Sequence, residues 1–125
     1  LGEHASGKEE EKQEEPPGFN QRVIQCVKSY VQKNCRDATL AEAARLVLMN
    51  PNYLSKFFKE KTGQNFSDYV NEVRMQQALE LLGDITLKIY EISDRVGYDN
   101  PKNFARAFRS HFGKSPREYR EDGTL

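Results

Sequence analysis

A chain of 125 residues and 14.4 kDa is long enough for one compact domain or two very small ones, and too short for a large enzyme core. Its 19 Lys+Arg balance 19 Asp+Glu, which at first sight argues against a nucleic-acid partner. No apolar run approaches the roughly 18 residues of a membrane helix and no basic-then-apolar leader opens the chain, so neither membrane span nor signal peptide is indicated and a cytoplasmic protein is expected.

The charge balance conceals a split. Residues 1–20 carry Glu3, Glu9, Glu10, Glu11, Glu14 and Glu15 against Lys8 and Lys12, so the first 20 residues are net negative by four and the remainder net positive by four. The acidic block is rich in Glu, Gly and Pro, holds almost nothing apolar, and cannot bury enough surface to offset its ordering entropy. Residues 1–18 are expected to be a disordered linker. Because the chain starts on Leu and this linker, an upstream partner domain is expected in a longer protein.

The first predicted helix runs from Phe19 to Asn34, where Val23, Ile24, Val27, Tyr30 and Val31 recur at helical spacing. Thr39-Leu40-Ala41-Glu42 has the form of a capping box and opens a short helix to about Val47. Asn50-Pro51 restarts the chain, with a capping side chain followed by proline where its missing N–H costs nothing; this helix runs to Lys61 and Gly63 closes it. Asn65, with Asp68 three residues on, opens a longer helix through Tyr69, Val70, Val73, Ala78, Leu81 and Leu82 to Gly83, roughly 24 Å long at about 1.5 Å per residue. Thr86 is expected to cap a short helix through Val96, Gly97 to make a turn, Asn100-Pro101 to restart the chain and Gly113 to end that helix. Ser115-Pro116-Arg117-Glu118 is a further capping box, for a last helix ending near Arg120. No strand pattern occurs, so the fold class is all-α.

Setting residue n beside n + 50 pairs Asn50 with Asn100, Pro51 with Pro101, Leu54 with Phe104, Phe58 with Phe108, Gly63 with Gly113 and Tyr69 with Tyr119. Lys56 and Lys59 likewise meet Arg106 and Arg109. Solenoids need more than two repeats; each unit here is a short helix, a tight turn and a second helix, which is the helix-turn-helix arrangement. At about 100° per residue from Asn52, Leu54, Phe57 and Phe58 fall near 200°, 140° and 240°, while Ser55, Lys56 and Lys59 fall near 300°, 40° and 340°. In the second unit Phe104, Ala107 and Phe108 point inward, and Lys102, Ala105, Arg106 and Arg109 outward. Surface helices commonly carry Lys and Arg. Two proline-started helices whose outward cations are read without an accompanying acid point instead to an anionic partner. The phenylalanines are read as core and not as a platform for stacked single-stranded bases, because they share an angle with Leu54.

Other chemistries have little support. Cys26 and Cys35 lack neighbours at metal-ligand spacing and are read as reduced thiols. There is no Ser/His/Asp set, glycine-rich phosphate loop or metal cluster, so no catalytic, metal or cofactor residue is assigned and the protein is not expected to be an enzyme. His4 lies in the tail and His111 falls on the inward side of its helix. A helical module that binds only protein is the competing class.

From about Val23 to Arg120 the chain resembles the DNA-binding domain of the AraC/XylS family of transcription regulators. The resemblance rests on Leu40–Ala44, Asn50–Lys59 and Thr62-Gly63 in the first unit, Arg74–Leu82 between units, and Ile89–Ser93, Val96-Gly97-Tyr98, Asn103-Phe104, Phe108-Arg109 and Phe112–Arg120 in the second. Ser93 departs from the family's usual Ala, and a bond to a helical carbonyl is expected for it. The resemblance implies seven helices, two helix-turn-helix subdomains (19–66 and 84–125) joined by a long central helix (67–83), control of transcription in bacteria, and a companion sensor or receiver domain.

The two proline-started helices are expected to enter successive major-groove segments of double-stranded promoter DNA. Asn52, Ser55 and Lys56 in one, and Lys102, Asn103 and Arg106 in the other, are the candidate base readers; Arg106 suits guanine and the asparagines adenine. Lys59, Arg109 and Arg74 are the candidates for phosphate. The two reading sets differ, so an asymmetric target is expected, and RNA polymerase is the expected protein partner.

Overall fold

The computed structural model describes residues 18–123 as seven helices: α1 (Phe19–Lys33), α2 (Leu40–Leu46), α3 (Pro51–Thr62), α4 (Phe66–Leu81), α5 (Ile89–Val96), α6 (Pro101–Phe112) and α7 (Pro116–Glu121). No strand occurs among the described residues. The acidic block, read as a disordered linker, lies outside them apart from its last residue, Gly18.

Most helices start where their side chains can satisfy free backbone N–H groups. The Asn50 Oδ1 accepts from the Asn52 and Tyr53 amides at 2.8 and 3.3 Å, and Asn100 does the same for Lys102 at 2.8 Å. Asn65 caps α4 through the Asp68 amide, and Ser115 and Glu118 complete a reciprocal box on α7. Two expected caps differ. Thr39 accepts from the Glu42 amide at 3.1 Å, but the Glu42 carboxylate turns to Arg45, and the Thr39 amide donates to the Tyr30 hydroxyl instead. Thr86 caps no helix: its amide and hydroxyl both donate to Asp84, α5 begins three residues later, and the Glu91 carboxylate takes the Lys88 amide.

Two apolar cores form. One gathers Val27, Val31, Ala43, Leu54, Phe57 and Phe58 with Phe66, Tyr69, Val70 and Val73 of α4. The other gathers Ile92, Val96, Phe104 and Phe108 with Met75, Ala78 and Leu82. Helix α4 therefore serves both cores, changing allegiance between Val73 and Met75. The first stripe centres about 160° around the helix from the second, so the units lie on nearly opposite sides of α4. The phenylalanines of α3 and α6 are core side chains, with Phe58, Phe104 and Phe108 fully buried.

The two turns follow the same hydrogen bonds at a spacing of 49 residues: Met49 N–H to Ala44 C=O and Tyr98 N–H to Ser93 C=O, at 2.9 and 3.0 Å. One additional residue, Asp99, then restores the spacing of 50 seen in α3 and α6. Both turns require a left-handed residue, Gly97 at φ 109° and Leu48 at φ 58°. A Cβ at position 97 would also lie 2.9 Å from the Arg36 carbonyl oxygen and from the Arg74 guanidinium carbon, whereas Leu48 points into solvent. Ser93 is buried and donates to the Tyr98 carbonyl of this turn at 3.4 Å rather than to a carbonyl within its helix.

Candidate nucleic-acid interface

Helices α3 and α6 each bury a stripe of aromatic and aliphatic side chains, which turns the opposite side of their first turns to solvent. Asn52 and Lys56 on α3, and Lys102, Asn103 and Arg106 on α6, are all exposed; Ser55 is half-buried between them and the core. Proline at the first position and the asparagine caps leave no acidic side chain in either first turn. Free amide dipoles at these starts add to the positive potential of the cations.

On α6, Arg106 Nη1 donates to Asn103 Oδ1 at 3.0 Å. One donor of the guanidinium is thereby used to hold the plane, and its remaining donors are available for the two-pronged contact that a guanine edge accepts. Asn103 retains its Nδ2 donors. The faces are less uniform than the sequence implied. Glu60, exposed one turn beyond Lys56, adds an acid near the first face, and Glu118 of α7 pairs with Arg109 at 3.4 Å. Both partners of that pair are largely exposed, with side chains 64% and 53% accessible, so the pair is weak and a phosphate can displace it. Lys59 lies at the end of α3, its Nζ 3.4 Å from the Gly63 carbonyl oxygen.

Arg74 departs furthest from expectation. Its Nε donates to the Cys35 carbonyl at 2.8 Å and an Nη to that of Arg36 at 3.3 Å, and the guanidinium carbon sits 5.8 Å from the centre of the Tyr98 ring. These engagements direct the cation into the junction between units. His111 also differs: it is exposed and meets Phe112 edge-on at 4.5 Å between ring centres, because inward space at the end of α6 is taken by Phe108, Phe112 and Tyr119. Lys61, its counterpart on α3, is exposed over the Phe57 ring.

Angles alone had not singled out Tyr53. Its ring is half-exposed in the first turn of α3 beside Asn52, stacked 6.0 Å from Phe57, and so places an apolar edge next to the polar readers. Cys26 is exposed and Cys35 buried, both as free thiols; burial pushes the Cys35 thiol up from its ordinary pKa, partly opposed by Arg74. Among the described residues no group of His, Cys, Asp and Glu could hold a metal ion, and no helix is long and apolar enough to cross a membrane.

A family model described as a helix-turn-helix domain matches residues 43–122. The C-terminal domain of AraT, a response regulator from Geobacillus stearothermophilus, shares the fold with a TM-score of 0.74 and 36% identity, over 80% of this chain and 84% of that one. A Chromobacterium violaceum transcriptional regulator, described as containing an AraC-type DNA-binding domain, gives a TM-score of 0.77 at 25% identity, over 84% and 95% of the two chains. The chain belongs to the AraC family, as its DNA-binding domain. In the uncharacterized HTH-type transcriptional regulator YtdP of Bacillus subtilis (strain 168), a segment is 38% identical over 85 residues, 68% of this chain but 11% of that protein. The chain spans well under half the length of the curated relatives it matches. The seven helices and two helix-turn-helix units expected from the sequence are those of the family.

Proposed function

We propose that this AraC-family domain reads double-stranded promoter DNA asymmetrically, with α3 and α6 in successive major-groove segments about 34 Å apart on one face of the duplex. The observation that carries the reading is the duplication itself. Two capped, proline-started helices present exposed faces of the same placement and different chemistry: Asn52, Ser55 and Lys56 against Lys102, Asn103 and Arg106. On the second face the Asn103 bond sets the plane of Arg106 in solvent. Arg106 is assigned to guanine and Asn52 and Asn103 to adenine, while Lys59 and Arg109 approach phosphates at the far ends of their helices.

Both helices meet straight B-DNA imperfectly if α4 holds them stiffly, so the bound duplex is expected to bend. In the whole protein the domain would regulate transcription from the cytoplasm, with RNA polymerase and a sensor or receiver domain as further partners; the likeness to a response regulator's C-terminal domain supports the receiver. Selection of bound duplexes from a random pool tests the core of the proposal. Two different sequence blocks about one helical turn apart are expected. Absence of enrichment, or enrichment of a single block, would overturn the two-helix reading.

A further inference from the structure

Three polar side chains of α4 bridge the two units. Asn71, Arg74 and Gln77 run obliquely across α4, Asn71 on the side of the second core, Gln77 on the side of the first and Arg74 between them, where α4 passes from one core to the other. Each of the three reaches across. Gln77 donates to the Gln32 carbonyl of α1 at 2.7 Å and accepts from the Cys35 thiol at 3.2 Å. Asn71 accepts from the Tyr98 hydroxyl of the second unit. Arg74 holds both sides at once, through the Cys35 and Arg36 carbonyls of the first unit and the Tyr98 ring of the second. The units also touch directly, through Arg36 and Asp94 at 3.3 Å and through the bare face of Gly97, which leaves room for the Arg36 carbonyl and the Arg74 guanidinium.

This junction is built from groups that reward one geometry only. The guanidinium donates to two carbonyls of one unit while its carbon lies 5.8 Å from the centre of an aromatic ring of the other, so a shift of either unit breaks one set of contacts. Leaving the part-buried Cys35 carbonyl without its donor is unfavourable, which opposes free rotation of the units about α4.

We propose that Arg74 is a positioning residue that fixes the separation and phase of α3 and α6, so that this protein selects the spacing between its two half-sites as well as their sequences. The proposal rests on the two-helix reading above. Each base pair inserted between half-sites moves one of them by about 3.4 Å and about 34° around the duplex, which a locked pair of helices cannot follow.

The experiment measures affinity for the pool-selected site and for versions with one or two base pairs inserted or removed between the blocks. Wild type, Arg74→Lys, Arg74→Gln and Tyr98→Phe are compared at fixed salt, each verified as folded by its thermal melt. Wild type is expected to lose about tenfold or more per inserted pair, equivalent to about 1.4 kcal/mol. Arg74→Gln is expected to lose affinity at the original spacing but to vary less than about threefold across spacings, with Arg74→Lys and Tyr98→Phe intermediate. A uniform loss at every spacing with a salt dependence reduced by about one phosphate would make Arg74 a phosphate contact and overturn the proposal. So would an unchanged spacing profile in the variants. Should Arg74→Gln fail to fold, the two milder variants decide by the same criterion. Failure of wild type to select two blocks is a separate result, which removes the two-helix reading and this inference with it.

Discussion

Arg106 shows how much one side chain's surroundings decide its role. It shares the outward side of α6 with Lys102 and Arg109, yet it alone of the three has its plane set by a neighbouring amide, at 3.0 Å from Asn103 Oδ1. Arg109 is shared with Glu118, and Lys59 leans toward the end of its own helix. Arg106→Ala is therefore expected to cost roughly 1–3 kcal/mol on the selected site and to relax preference at one base pair. Lys59→Ala is expected to weaken selected and random duplexes alike. Fluorescence anisotropy on both duplexes checks this pair of variants; equal losses for Arg106→Ala on the two would remove its assigned role. The placement of Arg74 was not legible in the sequence. A lone arginine on a polar stripe has the same helical angle whether it meets phosphate or carbonyl, and its partners lie 38 and 39 positions away along the chain.

At the scale of elements, the repeated turn gives the clearest contrast. Leu48 adopts a left-handed conformation that costs a branched side chain about 1–2 kcal/mol, and it gains little in return because it is 93% exposed. Leu48→Gly is expected to raise stability by about 1 kcal/mol. Gly97→Ala should lower it by about 2 kcal/mol or more, since strained φ is joined by a 2.9 Å approach to the Arg36 carbonyl. Urea unfolding of the two variants measures both; a stabilised Gly97→Ala would contradict the close packing at this turn. Helix starts were legible where a short side chain bonds an amide two or three residues on, as for Asn50, Asn65, Asn100 and Ser115. Thr86 misled because Asp84 offers its hydroxyl and amide a nearer acceptor, and Glu42 because Arg45 competes for its carboxylate. Side-chain competition of this kind depends on rotamers that spacing does not specify.

For the molecule as a whole, the charge distribution matters more than its sum. With the acidic residues 3–15 set apart from α3 and α6 in sequence, a neutral chain carries helices with exposed cations, and its affinity for random duplex should fall steeply with salt. The logarithm of affinity against the logarithm of salt concentration is expected to be a straight line with a slope of about −0.9 for each phosphate neutralised. A flat response would favour protein docking over DNA. The sequence by itself determined the class, the order of the helices, the duplicated unit and the inward side of α3 and α6, because 3.6-residue periodicity and local caps are written in neighbouring residues. Tertiary structure alone decided that α4 is shared by two cores on nearly opposite sides, and that Arg74 lies between them. Those facts depend on groups brought together from distant segments, Cys35 and Arg36 on one side and Gly97 and Tyr98 on the other, for which no local pattern exists.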